Sequence, residues 1–316
     1  MDNKEELEEK AKAQNINIRD SLFGGRTEGF KSYVNCVGNQ QIFYYDVSSL
    51  YPTVNAFDPY AIGFKRYVNI TVDDIRNGSF FGVAKVDVIP PKNLYVPLLP
   101  DNSEGKLLFH LNPMYQKTFT SLELKKALEV GYKITKIHSA LQYEKLNGLM
   151  KEYVTKFYKL KLECSGVLTS EKCFEINEHN KKCGLNFTVE AANTCKNPGL
   201  RQVAKICLNS LWGKFGQRTC LSSYEFIDNY DTFLNRLCSN KIIPQGWNII
   251  DENMVEMRFL EDIENQMEAE FISEVTTVLT AANARLRYDL LYWLHPSQVC
   301  YCDTDSVIFL YDDTNP

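Results

Sequence analysis

Residues Val299 to Leu310 are apolar on both sides of Asp303-Thr304-Asp305, and this pattern constrains the chain more than any other. Val299-Cys300-Tyr301 and Val307-Ile308-Phe309 read as two buried strands, with the acidic triplet as the turn between them. Two carboxylates so close together, at a tip anchored in a core, repel one another unless a cation sits beside them. Aspartate is also a common turn residue, so a solvated turn is the plainer account of an isolated pair. The apolar flanks weigh against that account, because they tie the tip to packed strands.

A further carboxylate stands at the end of another apolar run. Gln41 to Tyr45 reads as a buried strand ending in Asp46, and Val47-Ser48-Ser49-Leu50-Tyr51-Pro52 follows. A carboxylate in that place is unfavourable unless something positive meets it, though alone it would serve equally as a cap. The two segments together supply what two Mg²⁺ ions roughly 3.5–4 Å apart require, carboxylates from neighbouring strands. In such a centre one ion sharpens an attacking hydroxyl and the other holds a triphosphate. Oxygen donors without His or Cys suit Mg²⁺, with Mn²⁺ as a substitute.

The third segment is a helix from Asn197 to Phe215. Asn197 caps it and Pro198 suits its first position. Arg201, Lys205 and Asn209 follow at i, i+4 and i+8 and share a face. Leu200, Ala204, Cys207, Leu208, Leu211 and Phe215 are the expected buried side. Gly213 extends the polar face without a side chain, so a base pair could approach closely. A cationic stripe on a helix usually marks a solvated face. It becomes a phosphate grip only if a triphosphate is bound nearby.

Elsewhere the chain reads as a mixture of strands and helices without a βαβ rhythm, which implies an α+β class. Residues 1 to 20 are charged and read as a frayed helix, and residues 79 to 111 as strands and turns. Ser121 to Val130 reads as a helix with Ser121 as cap and Gly131 as stop. Leu146, Leu149, Met150, Tyr153, Phe157 and Leu160 recur at helical spacing. Residues 165–196 lack periodicity and read as an insertion. Val275, Leu279, Ala282, Leu286, Leu290 and Trp293 form the stripe of a later helix.

Composition adds bounds. The net charge of −5 alone argues against a nucleic-acid binder, but binding follows local basic stripes, and a metal centre needs acidic clusters. No run of eighteen apolar residues occurs, so no membrane span is expected. Met1-Asp2-Asn3-Lys4-Glu5-Glu6 is acidic rather than signal-like, so a cytoplasmic or nuclear site is the default. Ten cysteines then read as reduced thiols. Cys164, Cys173, Cys183 and Cys195 with His179 raise the idea of zinc, but no C-x-x-C pair supports it.

DVSSLYP, KICLNSLWGKFG and YCDTDS resemble motifs A, B and C of family B DNA polymerases, in order. The run NSLWGKFGQR resembles the protein-primed branch, found in Maverick/Polinton transposons, linear plasmids and related viruses. Phe23-Gly24-Gly25-Arg26 resembles that branch's glycine-pair motif on the template path, with Leu22 where tyrosine is common. Tyr153 to Gly166 resembles the first fingers helix, so the likeness runs from about Leu22 to Leu310. The resemblance implies a right-hand polymerase: an antiparallel palm with helical fingers, acting on a DNA template-primer and deoxynucleoside triphosphates, with a terminal protein as a candidate primer.

Carried over by residue, it implies that Asp46, the Val47 carbonyl and Asp305 bind the metals, with Asp303 in support. Lys205 and Lys161 would grip the triphosphate and Arg201 would be an outer cation. Asn209 and Gly213 would face the nascent base pair, and Tyr51 would lie under the sugar. Gly24, Gly25, Arg26, Tyr301 and Thr304 would contact DNA. Trp212 stands where the family often has tyrosine, which leaves any hydrogen bond from that hydroxyl in doubt. The expected domains are a flank at 1–21, palm at 22–140, fingers at 141–217 and a second palm part at 218–316. The 98 residues from Lys205 to Asp303 leave room for the branch's extra strand-displacement subdomain. No exonuclease fits before Leu22 and no thumb after Ser306, so a truncated enzyme with weak duplex binding is expected. Two alternatives stand beside the polymerase: a catalytically dead nucleic-acid-binding remnant, and another palm polymerase such as a reverse transcriptase. The Lys205–Asn209–Gly213 face argues against the second.

Overall fold

The computed structural model describes residues 15–218, 221–261, 273–287 and 290–311. They fall into two units, Met1–Gly213 with Ser273–Pro316 and Lys214–Ile272. The architecture is mixed, with antiparallel sheets and packed helices. Among the described residues no helix is long and apolar enough to cross a membrane.

The larger unit contains two four-stranded sheets. One runs in the order Thr27–Gly29, Val299–Asp303, Ser306–Tyr311, Gln41–Asp46, and all its pairs are antiparallel. The acidic triplet is the turn between its two central strands, as its apolar flanks require: Val299, Cys302 and Val307 are buried. The Gln41–Asp46 strand lies at the sheet edge and is not buried as its composition suggested. Tyr44 and Tyr45 are exposed, because an edge strand has one neighbour, although the Phe43 and Tyr45 rings both lie against Phe309 and Phe43 also meets Tyr311.

The second sheet runs Pro59–Tyr67, Lys133–Asn147, Gly82–Ile89, Met114–Thr120. Its core of Ala84, Val86, Val88, Phe119 and Leu124 supports the Ser121–Glu129 helix. That helix is capped one residue earlier than expected: Thr120 and Glu123 form a reciprocal capping box, while Ser121 accepts from the Gly82 amide instead.

Helix Glu274–Arg287 is buried from Val275 to Ala284 on nearly every face. The last two residues of the expected stripe fall in the helical stretch Leu290–Trp293. Leu290 falls where the side chain lies outside the described residues, and Trp293 is exposed. Leu50 and Val54 of helix Leu50–Phe57 pack on its Ala284. On helix Leu50–Phe57, Ala56 meets Val154 of helix Lys151–Glu163 and Leu208 of helix Pro198–Phe215. One short helix thus links the packed centre to two longer helices.

Three readings change here. Leu146 belongs to a strand, not a helix, because Gly148 at φ +71° turns the chain before Lys151. The insertion contains a regular helix, Ser170–Lys182, capped by Thr169. It escaped notice because only Cys173 and Asn180 on it are buried, too few for a periodic apolar signal. On helix Pro198–Phe215 the buried side narrows to Ala204 and Leu208, and Leu200 is exposed.

The smaller unit has its own core. Strands Ser223–Ile227, Met254–Glu261 and Ile242–Asp251 form an antiparallel sheet, and helix Tyr230–Leu237 covers it. Ile227, Ile242 and Met257 are buried with Phe233 and Leu237 against them. The expected frayed helix at residues 1 to 20 lies outside the described residues up to position 14, and Ile18–Ser21 is a single 3-10 turn.

Candidate functional site

Strand register sets the carboxylates. Thr27 pairs with Asp303, Asp303 with Ser306, and Ser306 with Asp46, so Asp303 and Asp46 share one rung of the sheet. The Val47 amide donates to the Asp305 carbonyl at 2.7 Å, which fixes the start of the Val47–Ser49 turn against the acidic tip. Asp303 is held further: its Oδ1 accepts from Thr27 Oγ1 at 2.9 Å and Thr304 Oγ1 at 3.1 Å. The Asp305 carboxyl is pushed above the usual carboxylate range, first by burial, then by the charge of Asp46 and more weakly by Asp303. Among the described residues no three His, Cys, Asp or Glu side chains converge as a ready-made metal cage, and this includes the cysteines near His179.

Two non-glycine residues with left-handed backbone mark the site, Ser49 at φ 61° and Thr304 at φ 52°. Such conformations persist where the surroundings hold them, and they concentrate at functional sites. The glycine pair holds Thr304. Its amide donates to the Arg26 carbonyl at 2.7 Å, and a Cβ on Gly25 would lie 2.5 Å from Thr304 Cγ2. The Gly24 carbonyl accepts from Arg285 at 3.1 Å. Arg26 itself is interior. It is 6 % exposed, donates to Glu28 and the Pro97 carbonyl, and stacks 4.3 Å over the Phe109 ring. Its surroundings therefore give it a packing role and leave little of it for a template. Tyr301 is half-buried in the central strand, opposite Gly29.

A cleft of about 390 Å³ opens beside this turn, within the roughly 300–1,000 Å³ typical of ligand pockets. Tyr51, Lys161, Lys205, Asn209, Trp212 and Asp305 line it. Residues far apart in sequence meet here because helix Leu50–Phe57 packs against both longer helices. Tyr51 stacks on Trp212 with ring centroids 4.8 Å apart and planes 11° from parallel. The indole therefore buttresses the tyrosine face. The Tyr51 phenol is pushed up, mainly by burial, with Arg285 opposing and Asp305 adding. Lys161 is held below the usual lysine range by burial first, then by the neighbouring charges of Arg201 and Lys205. Arg201 donates to Ser165 Oγ at 3.2 Å, and nothing crowds Gly213. The Ser49 strain, the Thr27 support and the Arg285 link leave no signal in the sequence, since each depends on tertiary pairing.

The chain belongs to the type B DNA polymerases of organelles and viruses, whose family model matches residues 2–171 and 188–290. It is 24% identical to a probable DNA polymerase of Podospora anserina over 92% of this chain and 23% of that protein. The DNA polymerase of Kluyveromyces lactis is 27% identical, over 72% of this chain and 20% of that protein. That of canine adenovirus serotype 1 is 22% identical, over 68% and 18%. The chain therefore spans about a fifth of the length of these relatives. Its fold is similar to Phi29 DNA polymerase complexed with primer-template DNA and incoming nucleotide substrates. There the TM-score is 0.55 at 15% identity, over 96% of this chain and 43% of that one. The same enzyme complexed with primer-template DNA gives a TM-score of 0.57 at 17% identity, over 92% and 42%.

Proposed function

We propose that the cleft performs template-directed nucleotidyl transfer, joining a deoxynucleoside triphosphate to the hydroxyl of a DNA or protein primer. The observation that carries this reading is the charge arrangement of one cleft. Crowded carboxylates, Asp305 with Asp46 and Asp303, stand at the acidic turn, and crowded cations, Lys161 with Lys205 and Arg201, stand on the helices. Each cluster is unfavourable alone, and a triphosphate with divalent metal relieves both.

The donor set fits Mg²⁺ or Mn²⁺: oxygen-only ligands, with Asp46, Asp305 and the Val47 carbonyl as the proposed holders. Two bound ions would lower the pKa of the attacking hydroxyl and neutralise the leaving pyrophosphate. Asp303 positions the turn through Thr27 and Thr304. Lys205 and Lys161 hold phosphate oxygens, with Arg201 outside them. Asn209 and Gly213 face the nascent base pair. Tyr301 and Thr304 lie at the primer end, while Gly24 and Gly25 act through their packing on the acidic turn. In this reading the two sheets are palm and the helices Lys151–Glu163 and Pro198–Phe215 are fingers.

The test is extension of a labelled primer by the purified chain, beside Mg²⁺-dependent dNTP binding. Both are expected, and loss of both would overturn the reading. Tyr51 tests the sugar floor. Its ring is pinned by Trp212, so a 2′-hydroxyl meets a surface that cannot yield. Tyr51→Val should raise ribonucleotide use relative to deoxyribonucleotide by about 10- to 200-fold, the range for a methylene-sized change in a packed site. A competition assay with unchanged selectivity would count against the floor.

Gly25→Ala tests the buttress. The new Cβ would push on Thr304, whose φ of 52° leaves it little freedom. Displacement of the acidic turn should slow extension by up to about 100-fold. Thr304→Gly in the same chain should restore much of it. Wild-type rates in Gly25→Ala would show that the contact does not position the carboxylates.

A further inference from the structure

In the proposed reaction Tyr51 can select the sugar only while Trp212 holds its ring. The helix that carries Trp212 is least secure at that place. Gly213 follows directly, and the helix ends at Phe215. Glycine inside a helix leaves the backbone more freedom than any other residue, and a Cβ at Gly213 would meet no neighbour. Leu208, one turn earlier, is buried on Ala56 and Val154, and Trp212 lies beyond that packing.

Thr277 supplies the hold that the glycine removes. It is buried on helix Glu274–Arg287, and its Oγ1 donates to the Trp212 carbonyl at 2.9 Å, across 65 positions of sequence. A hydroxyl inside a helix often turns back to the carbonyl four residues earlier. Thr280 does so to Thr276 at 2.9 Å, and Ser210 to Ile206 at 2.7 Å. Thr277 reaches to another helix instead. Tyr153 makes a matching bond from the other side, its phenol donating to the Cys207 carbonyl at 3.2 Å. The stretch from Cys207 to Trp212, which carries Asn209, is therefore tied at one end to helix Lys151–Glu163 and at the other to helix Glu274–Arg287.

We propose that Thr277 is a positioning residue for sugar selection: its hydroxyl holds the Trp212 backbone, the indole holds the Tyr51 ring, and the fixed ring excludes a 2′-hydroxyl. The inference rests on the reading of the cleft as a nucleotidyl-transfer site. It assigns selectivity to a residue that does not itself line the cleft.

Thr277→Val keeps the shape of the side chain and removes its hydroxyl. It should raise ribonucleotide kcat/KM relative to deoxyribonucleotide kcat/KM by about three- to tenfold, the usual net effect of one hydrogen bond, with the change in the ribonucleotide arm. Thr277→Ser keeps the hydroxyl and should select as the wild type does. Adding Thr277→Val to Tyr51→Val should change selectivity no further, because both act through one ring. Should valine unfold the chain, Thr277→Ala is read in the same way. The hold on Trp212 is measured without catalysis in a chain carrying Trp247→Phe and Trp293→Phe. Both of those tryptophans are exposed, and Trp212 is then the one indole of the original three. Acrylamide should quench its fluorescence more strongly once Thr277→Val is added. The proposal is overturned if loss of the hydroxyl leaves selectivity or quenching at the wild-type value. It is also overturned if Thr277→Ser relaxes selectivity as much as valine does, or if the Thr277→Val and Tyr51→Val effects multiply. Failure of the proposed function looks different: the wild-type chain then neither extends a primer nor binds a deoxynucleotide, and this inference falls with it.

Discussion

Asp305→Asn is expected to reduce primer extension by on the order of 10³-fold or more, the effect of losing several kcal/mol of transition-state stabilisation at a metal centre. Asp46→Asn should do the same, since it closes the other side of the acidic turn across the Ser306 rung. Asp303→Asn should be milder, because that carboxylate already accepts from Thr27 and Thr304, and an amide oxygen can do so too. The fold should survive all three. For Asp305 the sign can be worked out. Its folded pKa is raised, so the native state binds a proton more tightly than the unfolded chain does. That makes stability fall as pH rises from the unfolded to the folded value. Above that window the native carboxylate is a liability that asparagine lacks, so Asp305→Asn should melt at or above the wild-type temperature at neutral pH. Single-turnover extension beside thermal melts separates chemistry from folding. Near-normal rates in Asp305→Asn would remove this carboxylate from the mechanism.

Much of this site could be read from sequence because its parts leave strong local signals. An acidic triplet between apolar strands has few physical explanations, and Pro198 after Asn197 announces a helix whose polar residues repeat every fourth position. Those signals located Lys205, Asn209 and Asp305, the family resemblance added Tyr51 and Lys161, and the fold brings all five to one cleft. Other features were invisible because they belong to pairing between distant segments. The resemblance implies that Arg26, beside a glycine pair, contacts DNA. Only the approach of Glu28, Pro97 and Phe109 makes it interior. The Ser170–Lys182 helix has almost no apolar stripe, since only two of its residues are buried, so periodicity could not find it. The Gln41–Asp46 strand carries buried-type residues yet lies at an edge, which composition does not encode.

Lys205→Ala should lower kcat/KM for the incoming nucleotide by about 10²–10³-fold, the usual consequence of removing a charged donor aimed at developing negative charge. The reasoning begins with the helix. Lys205 sits one turn from Arg201 and one from Asn209, and it faces the cleft in which Tyr51 and Asp305 stand. Lys161 reaches the same cleft from the other helix and already feels the charges of Lys205 and Arg201. Cations crowd in this way where an anion is to be received. Removing Lys205 should therefore weaken the transition state of phosphoryl transfer more than it weakens DNA binding. It should also relieve part of the pressure on Lys161, whose pKa should move back toward the ordinary lysine range. Lys205→Arg keeps the charge but changes its shape, and should recover only part of the rate because a guanidinium fork does not reproduce a compact ammonium. Steady-state kinetics in dNTP, with primer-template affinity measured separately, distinguish the outcomes. A loss confined to DNA affinity, with nucleotide KM and kcat untouched, would make Lys205 a backbone contact and would leave the triphosphate to Lys161 and Arg201 alone.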